Sequence, residues 1–177
     1  MSVFDQLSRE AAKRQLDFLV IGAHAVICHG FVRATDDADI LVRKENRSQW
    51  EEMLRGFGYN VIHDGGSFLQ FESTDETCWD LDLMLVPAET FWKMFAEAKV
   101  VKLGGVSVRI PSLEHLFALK IHALKHGRGL RRLKDMDDVI RLALANGVDV
   151  RSESFRKLFV KYGDLKVYEQ VLQACGS

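Results

Sequence analysis

The fold is decided by residues 20–42, which read VIGAHAVICHGFVRATDDADILV. The stretch opens in a short apolar run over residues 17–21, which predicts a buried strand that ends at Gly22. The pattern then predicts a short helix over residues 23–29, and a second strand follows over residues 37–43. A strand, a glycine turn, a short helix and an acidic strand are thus expected within one continuous segment.

The acidic residues of the second strand indicate a metal site. Residues two apart in a strand point to the same side, so Asp37 and Asp39 are expected to project together. Asp80 and Asp82 share a face in the same way on another predicted strand, residues 79–85. Carboxylates on a buried strand resist desolvation unless a cation compensates, and Mg²⁺ takes oxygen ligands of this kind.

The two acidic strands also have a simpler interpretation. If they are neighbours, up to four carboxylates converge, and three carboxylates around Mg²⁺ ions commonly serve phosphoryl or nucleotidyl transfer. If they are not, the acids lie on a solvated sheet face, as alternating polar residues do in many antiparallel sheets. Acidic residues are poor strand formers, so the presence of two such pairs favours the functional interpretation.

Composition and charge indicate a globular protein with one domain, or one domain and a small appended lobe. The 177 residues are 47% hydrophobic and 28% charged, with a formal net charge of -1, which argues neither for a dedicated DNA-coating protein nor for an acidic tail. Three widely spaced cysteines without a CxxC pair predict reduced thiols and a cytoplasmic location. The sequence shows no signal pattern and no apolar run long enough to span a bilayer, so no membrane partner is expected.

The remaining patterns predict a mixed α/β (α+β) core over residues 1–110 and a C-terminal helical lobe over residues 111–177. The elements expected in the core are helices at 3–15 (with Ser2 or Asp5 near its start), after Asn46 (with Asn46 as its N-cap) and at 89–98, strands at 59–63, 68–72 and 79–85, and a hairpin of 100–103 with 106–110 at the sheet edge. The helices expected in the lobe are 112–125, capped by Ser112, then 130–145, 152–162 and 165–174.

Two further features could contact phosphate. Gly22 and Ala23 lie where a strand turns into a helix, and backbone N–H groups at such a point suit phosphate, although a glycine there is also ordinary turn chemistry. Between Glu114 and Asp135 the chain has no acidic residue, which is consistent with a phosphate-binding patch or with a solvated basic face. Lys120 differs from the other cations of that interval because it falls in the apolar stripe of its helix and needs a partner, either a phosphate or an aspartate.

Residues 20–23 (VIGA) and 33–42 (RATDDADILV) resemble the signature of the polymerase-β-type nucleotidyltransferase superfamily. That signature has a glycine turn, an Asp-x-Asp pair on the next strand and a third acid on a later strand. The spacing from Gly22 to Asp39 is similar to that of small bacterial nucleotidyltransferase-like proteins, including abortive-infection toxins of type IV toxin–antitoxin systems.

The helical part carries a second point of resemblance. Those proteins often have a lysine on one helix and a Lys-Asp-x-x-Asp element on the next, and Lys120 and residues 134–138 (KDMDD) match them. The resemblance covers about residues 19–86 well and residues 111–144 moderately.

The resemblance implies a polymerase-β-like mixed sheet with flanking helices and a C-terminal helical lobe. It also implies transfer of a nucleoside monophosphate from a nucleoside triphosphate such as ATP to an acceptor hydroxyl, with Mg²⁺ or Mn²⁺ as cofactor and release of pyrophosphate. Asp37 and Asp39 would hold the metals, and Asp82 would be the third carboxylate, with Asp80 as the alternative. The nucleotide-binding residues that it implies are Gly22, Ala23, Arg33, Thr35, Lys120 and Lys134.

The acceptor is left open by the sequence. A tRNA 3′ end, a protein side chain and a small hydroxylated molecule are the candidates, and a cognate antitoxin protein is an implied partner. One departure from the family pattern is Ala23, because Gly or Ser usually follows the motif glycine and alanine has no hydroxyl to offer to phosphate. The alternative functions are therefore a catalytically silent nucleotide-binding or protein-interaction module and, less favoured, a metal-dependent phosphohydrolase.

Overall fold

The computed structural model describes residues 3–75 and 78–176, so that Ser2, expected near the first helix start, lies outside the described residues. Within these ranges the chain forms eight α-helices, seven β-strands and one short 3₁₀ helix, Lys44–Asn46. The α-helices are α1 (Val3–Lys13), α2 (Gly22–Cys28), α3 (Arg47–Gly56), α4 (Ala88–Ala96), α5 (Leu113–His126), α6 (Gly129–Ala145), α7 (Glu153–Tyr162) and α8 (Leu165–Cys175). The strands are β1 (Leu19–Val20), β2 (Asp37–Arg43), β3 (Tyr59–Asp64), β4 (Phe68–Ser73), β5 (Asp80–Val86), β6 (Lys99–Leu103) and β7 (Val106–Ile110).

Five of the strands form a mixed sheet in the order β1-β2-β5-β4-β3. Strands β2 and β5 run parallel, and the other three pairs are antiparallel. A parallel pair needs a long connection, which here contains α3, β3 and β4. Ile40 of β2 and Leu83 of β5 are paired in register and fully buried, so apolar packing fixes the alignment of the two acidic strands.

The predicted mixed α/β fold is confirmed, and two local expectations are corrected. The hairpin of β6 and β7 forms its own two-stranded sheet and does not extend the edge of the main sheet. The reason is that the hairpin contributes a packed face, since Val108 and Ile110 of β7 are buried while Arg109 between them is exposed. Asn46 precedes α3 as expected, but its side chain donates to Gln49 Oε1 at 3.0 Å and does not cap the helix.

The chain divides into two compact units. One unit comprises Arg33–Ser112 together with the chain up to Ala25, and it contains both sheets. The other comprises Val26–Val32 and the chain from Leu113 onward, which includes α5 to α8. The division falls inside α2, between Ala25 and Val26, after about one turn of the helix.

The second unit has its own aromatic core. Phe155 contacts Phe117 and Phe159, with ring centroids 5.2 and 5.5 Å apart, and Phe159 contacts Tyr168 at 5.3 Å. The Ser152 hydroxyl accepts a hydrogen bond from Phe155 N and caps α7, which satisfies a backbone donor at that helix start. In the described part of the chain, no helix combines the length and the apolar character that crossing a membrane requires.

Candidate functional site

Three carboxylates converge where the parallel strands β2 and β5 begin. Asp37 lies opposite Asp80, and Asp39 lies opposite Asp82, in the register of the two strands. One carboxylate oxygen each of Asp37, Asp39 and Asp82 lies within 4.8 Å of the other two. Asp82 is 8% exposed, and the other two are half-buried. The acidic strands are therefore neighbours, as the metal-site hypothesis requires.

The two acids of β5 have different surroundings. Asp82 Oδ1 accepts a hydrogen bond from Gln70 Nε2 at 3.3 Å, and Gln70 lies opposite Asp82 on β4. Asp80 is exposed, and its Oδ1 accepts from the backbone N–H of Ser73 at 3.1 Å. The structure thus brings Asp82, and not Asp80, into the group with Asp37 and Asp39.

Local contacts orient the other two carboxylates. The Thr35 hydroxyl donates to Asp37 Oδ1 at 2.6 Å. Gly22 has a φ of +57°, and a Cβ placed on it would lie 1.9 Å from Asp39 Oδ2. A side chain at position 22 would therefore occupy the space that the Asp39 carboxylate now fills. Ile21 N also donates to Asp39 O at 3.0 Å, which ties the glycine turn to β2.

The donor set fits a hard divalent cation. Three carboxylates at this separation repel one another, and all three lie on two strands whose other residues are largely buried. Oxygen ligands of this charge are those that Mg²⁺ and Mn²⁺ prefer, and a bound cation would relieve the repulsion. Asp37, Asp39 and Asp82 are the residues that would hold it, and they belong to the same compact unit.

A cluster of three aromatic rings lies next to the start of β5. His24, which is 4% exposed, contacts both Phe4 and Trp79, and the ring centroids of both residues lie 4.9 Å from that of its imidazole. Burial lowers the pKa of His24 below its ordinary value; the charge of Asp37 opposes this shift and that of Arg33 adds to it. Among the described residues, His24 Nδ1 is buried without a hydrogen-bond partner.

The other predicted nucleotide-binding residues are distributed over both units. Ala23 is 1% exposed, so its methyl group packs in the interior. Arg33 is half-buried, and its Nη1 donates to Ala34 O at 3.2 Å. Lys134 lies exposed on α6 of the second unit.

Lys120 forms ion pairs with two carboxylates inside the second unit. Its Nζ lies 2.9 Å from Asp135 Oδ1 and 2.7 Å from Asp138 Oδ2, and all three residues are buried. Burial by itself would lower the pKa of Lys120, but Asp135 and Asp138 outweigh burial and raise it above the ordinary lysine value. The need of this lysine for an anionic partner is met by the next helix, and its contact with a nucleotide stays a prediction.

Two residues near the carboxylates do not follow from sequence reasoning. Gln70 is the polar residue between Leu69 and Phe71, and it becomes significant only once β4 is known to pair with β5. Trp79 directly precedes β5 and is 42% exposed, whereas the sequence pattern assigned it to the strand itself. An aromatic residue immediately before an acidic strand is the one signal that could have drawn attention to it.

Solved structures with the same fold are nucleotidyltransferases or are described as similar to them. An antigenic nucleotidyltransferase-like protein from Paracoccidioides brasiliensis matches with a TM-score of 0.56 at 13% identity, over 96% of this chain and 88% of its own. The antibiotic-resistance factor ANT(2'')-Ia matches with a TM-score of 0.55 at 16% identity, over 97% of this chain and 88% of its own. The lincosamide antibiotic adenylyltransferase LnuA matches with a TM-score of 0.56 at 14% identity, over 80% of this chain and 98% of its own.

These likenesses support the fold, while the family follows from the sequence. No curated protein sequence matches the chain. A family model described as uncharacterised nucleotidyltransferase matches residues 23–175, which include β2, β5 and all of α5 to α8. The resemblance to the nucleotidyltransferase superfamily is thus confirmed, and this chain belongs to the family of uncharacterised nucleotidyltransferases.

Proposed function

We propose that this protein is an active, metal-dependent nucleotidyltransferase that moves a nucleoside monophosphate from a nucleoside triphosphate to an acceptor hydroxyl. The observation that carries the proposal is the convergence of Asp37, Asp39 and Asp82 in a chain of a nucleotidyltransferase family. Three carboxylates within 4.8 Å of one another are costly to keep together without a cation, and nucleotidyl transfer gives them a use.

The proposed roles of the residues follow from their contacts. Mg²⁺ or Mn²⁺, when bound by the three carboxylates, would neutralise charge on the reacting phosphate and favour ionisation of the attacking hydroxyl. Thr35 fixes the rotamer of Asp37, and Gln70 orients Asp82. Gly22 leaves the room in which the Asp39 carboxylate lies.

In the proposed reaction the acceptor oxygen attacks the α-phosphorus and forms a new O–P bond. The bond between the α-phosphorus and its bridging oxygen to the β-phosphorus breaks, and pyrophosphate leaves with the electron pair of that bond. The proton of the acceptor hydroxyl passes to a base, and Asp82 is the carboxylate that we assign to this step. Backbone N–H groups of Gly22 and Ala23, with Arg33, Lys120 and Lys134, are proposed to contact the β- and γ-phosphates.

ATP and a small hydroxylated molecule are the first substrates to test. ANT(2'')-Ia has been solved in complex with adenylyl-2''-tobramycin, and LnuA is an adenylyltransferase solved with lincomycin bound. A tRNA end and a protein side chain are the other acceptor classes. The proposal also includes a cytoplasmic location and, from the resemblance to type IV toxins, an antitoxin partner.

The silent-module alternative rests on Ala23. Its methyl group is buried, so a side-chain contact with phosphate is not available at this position. Backbone N–H groups remain available to a phosphate, and the three carboxylates are clustered as an active site requires. The observations therefore favour the enzyme.

Transfer is tested by supplying each α-³²P nucleoside triphosphate with Mg²⁺ and a cell extract and identifying the labelled product. The wild-type protein is compared with Asp39→Asn, which removes one carboxylate charge with little change of shape. Asp137→Asn is the matched control, since Asp137 is an exposed acid of α6 that pairs with Arg141. Label on RNA, protein or a small molecule with the wild type and the control, but not with Asp39→Asn, would establish transfer and identify the acceptor class.

Two other outcomes contradict the proposal. Label that appears only as free nucleoside monophosphate would indicate a phosphohydrolase. No labelled product from any nucleotide, with Mg²⁺ or with Mn²⁺, would favour the silent module. The same assay distinguishes the two acids of β5: Asp82→Asn should lower transfer at least about 100-fold, since even outer-shell groups of metal sites contribute 10–100-fold, and Asp80→Asn should lower it far less.

A further inference from the structure

We propose that Trp79 is the platform on which the base of the bound nucleotide stacks. The inference rests on the proposed function, because it assigns a subsite of the same nucleotide site. No residue of the sequence motif supplies such a surface, whereas the aromatic cluster of Phe4, His24 and Trp79 does.

Trp79 lies at the correct end of the sheet. It directly precedes Asp80, the first residue of β5, and Asp80 lies opposite Asp37 in the parallel register. Neighbouring strands are about 4.8 Å apart, so Trp79 is within one residue step of the row that contains Asp37. A nucleotide whose phosphates lie at the carboxylates could therefore place its base near this end of β5.

The indole of Trp79 is held in place although 42% of the residue is exposed. Its ring lies 4.9 Å from the His24 ring and 6.3 Å from the Phe4 ring, and both of these residues are buried. The Tyr59 hydroxyl donates to the Trp79 carbonyl oxygen at 2.9 Å and so fixes the backbone at the same point. A ring that is already immobilised loses little conformational entropy when a ligand stacks on it.

His24 connects this ring to the carboxylates. It follows Gly22 by two residues in the first turn of α2, and Gly22 is the residue against which the Asp39 carboxylate lies. The side of Trp79 that faces His24 is thus anchored to the same turn that positions Asp39. The exposed part of the indole is then the surface available to a ligand.

The other tryptophans make the contrast clear. Trp50 is fully buried. Trp92 is 43% exposed, much as Trp79 is, but the Arg43 guanidinium lies 4.8 Å from the centre of its ring and already occupies one face. Trp92 is therefore a matched control: an equally exposed tryptophan in the same unit, whose ring contacts within the described ranges are with Arg43, Phe91 and Phe95.

A nucleobase is the ligand chemistry that this surface suits. Every base has a flat π face that can stack on an aromatic side chain, so stacking depends little on which hydrogen-bonding groups the base carries. Purines offer the larger face. Stacking would add affinity for the base without any polar contact to it. We expect a purine nucleotide to bind more tightly than a pyrimidine nucleotide for this reason.

Binding is measured directly, with Mg²⁺ and an ATP analogue that cannot be cleaved between the α- and β-phosphates. Stacking on Trp79 should quench tryptophan fluorescence in the wild type and in Trp92→Phe, and the quench should be lost in Trp79→Phe. The affinity of Trp79→Ala should fall about tenfold, as expected for loss of one base–aromatic stack, while Trp92→Ala binds as the wild type does. Circular dichroism establishes that each variant is folded, and Trp79→Phe, which keeps a ring, should retain most of the affinity.

The outcomes separate the subsite from the proposed function. The wild type could bind the analogue tightly while Trp79→Ala binds it equally well and the quench is unchanged in Trp79→Phe. That result would overturn the role of Trp79 without contradicting the proposed function. If the wild type does not bind the analogue at all, both the Trp79 subsite and the proposed nucleotidyltransferase function are contradicted. A fall in affinity that is the same for Trp79→Ala and Trp92→Ala would also overturn the assignment, since it would show a general effect of losing an exposed ring.

Discussion

At the residue scale, Gly22 and Asp39 lie so close together that the site has no room for a side chain at position 22. Gly22 adopts a positive φ of +57° at the start of α2, and its missing side chain is replaced by the Asp39 carboxylate. One glycine thus meets two requirements, a left-handed backbone and space for an acid, which no other residue meets.

These two requirements can be separated by substitution. Gly22→Ala adds a Cβ 1.9 Å from Asp39 Oδ2, whereas Gly66→Ala meets open space at a similar positive φ of +79°. Gly66→Ala should lower the free energy of unfolding by about 1–2 kcal/mol, which is the backbone term alone. Gly22→Ala should lower it further and should also abolish nucleotide transfer, because the carboxylate must move. Urea denaturation and the transfer assay measure both effects, and identical results for the two variants would contradict the interpretation.

Sequence reasoning can predict the Asp-x-Asp pair because a strand has a period of two residues. It cannot choose between Asp80 and Asp82, because the two acids share a face of β5. The two acids are distinguished by neighbours on β4: the backbone N–H of Ser73 donates a hydrogen bond to Asp80, and the Gln70 side chain donates one to Asp82. The need of Lys120 for an anion was likewise predictable from its apolar stripe, while its buried partners depend on how α6 packs against α5.

At the element scale, the type of each helix and strand was largely predictable and the pairing was not. Strand β2 occupies its predicted range of 37–43, since alternating acids and a following apolar run mark it clearly. The hairpin of β6 and β7 was predicted as a hairpin but placed at the edge of the main sheet. A hairpin pattern specifies the local turn and the buried face, whereas the partner of its outer strand depends on the rest of the fold.

Helices α5 and α6 are joined by the ion pairs of Lys120 with Asp135 and Asp138. Lys120→Met would leave two buried carboxylates without their cation and should lower the free energy of unfolding by about 3–5 kcal/mol. Lys125→Met is the matched control on the same helix, where an exposed lysine should contribute less than about 1 kcal/mol. Denaturation in urea at pH 7 measures the difference, and equal stability of the two variants would show that the buried pairs are not stabilising.

The same ion pairs predict a dependence on pH. The pKa of Lys120 is raised in the folded protein, so the folded state holds its proton more tightly than the unfolded state does. The stabilisation is fully present below the ordinary lysine pKa of about 10.4 and is lost as the pH rises through the higher folded value. The difference in free energy of unfolding between the wild type and Lys120→Met should therefore become smaller in alkaline solution. A difference that grew with pH would contradict the predicted direction of the pKa shift.

At the scale of the whole molecule, the family match extends over both compact units, since residues 23–175 include the carboxylate strands and the helices that follow. The division of the chain into a nucleotidyltransferase core of residues 1–110 and a C-terminal helical lobe of residues 111–177 stays a prediction. So does the contribution of Lys120 and Lys134 to a nucleotide site whose carboxylates belong to the other unit.

Cation binding should be visible in the stability of the entire protein. A cation that binds only the folded state stabilises it by about 2.7 kcal/mol at a concentration 100 times its dissociation constant. Mg²⁺ or Mn²⁺ should therefore raise the midpoint of thermal unfolding of the wild type, and EDTA should reverse the increase. Asp39→Asn should respond much less, and Asp137→Asn should respond as the wild type does. A shift that is equal in all three proteins would indicate nonspecific binding.

The parallel pairing of β2 with β5 has a consequence for how the protein acquires activity. Asp39 and Asp82 meet only after the intervening chain has closed a loop of about forty residues, which is a slow and entropically costly step compared with forming a local hairpin. A nascent or partly unfolded chain therefore has scattered acids and no binding centre. The proposed activity should therefore appear late, together with cooperative completion of the sheet, because the final folding step is the one that assembles the carboxylate site.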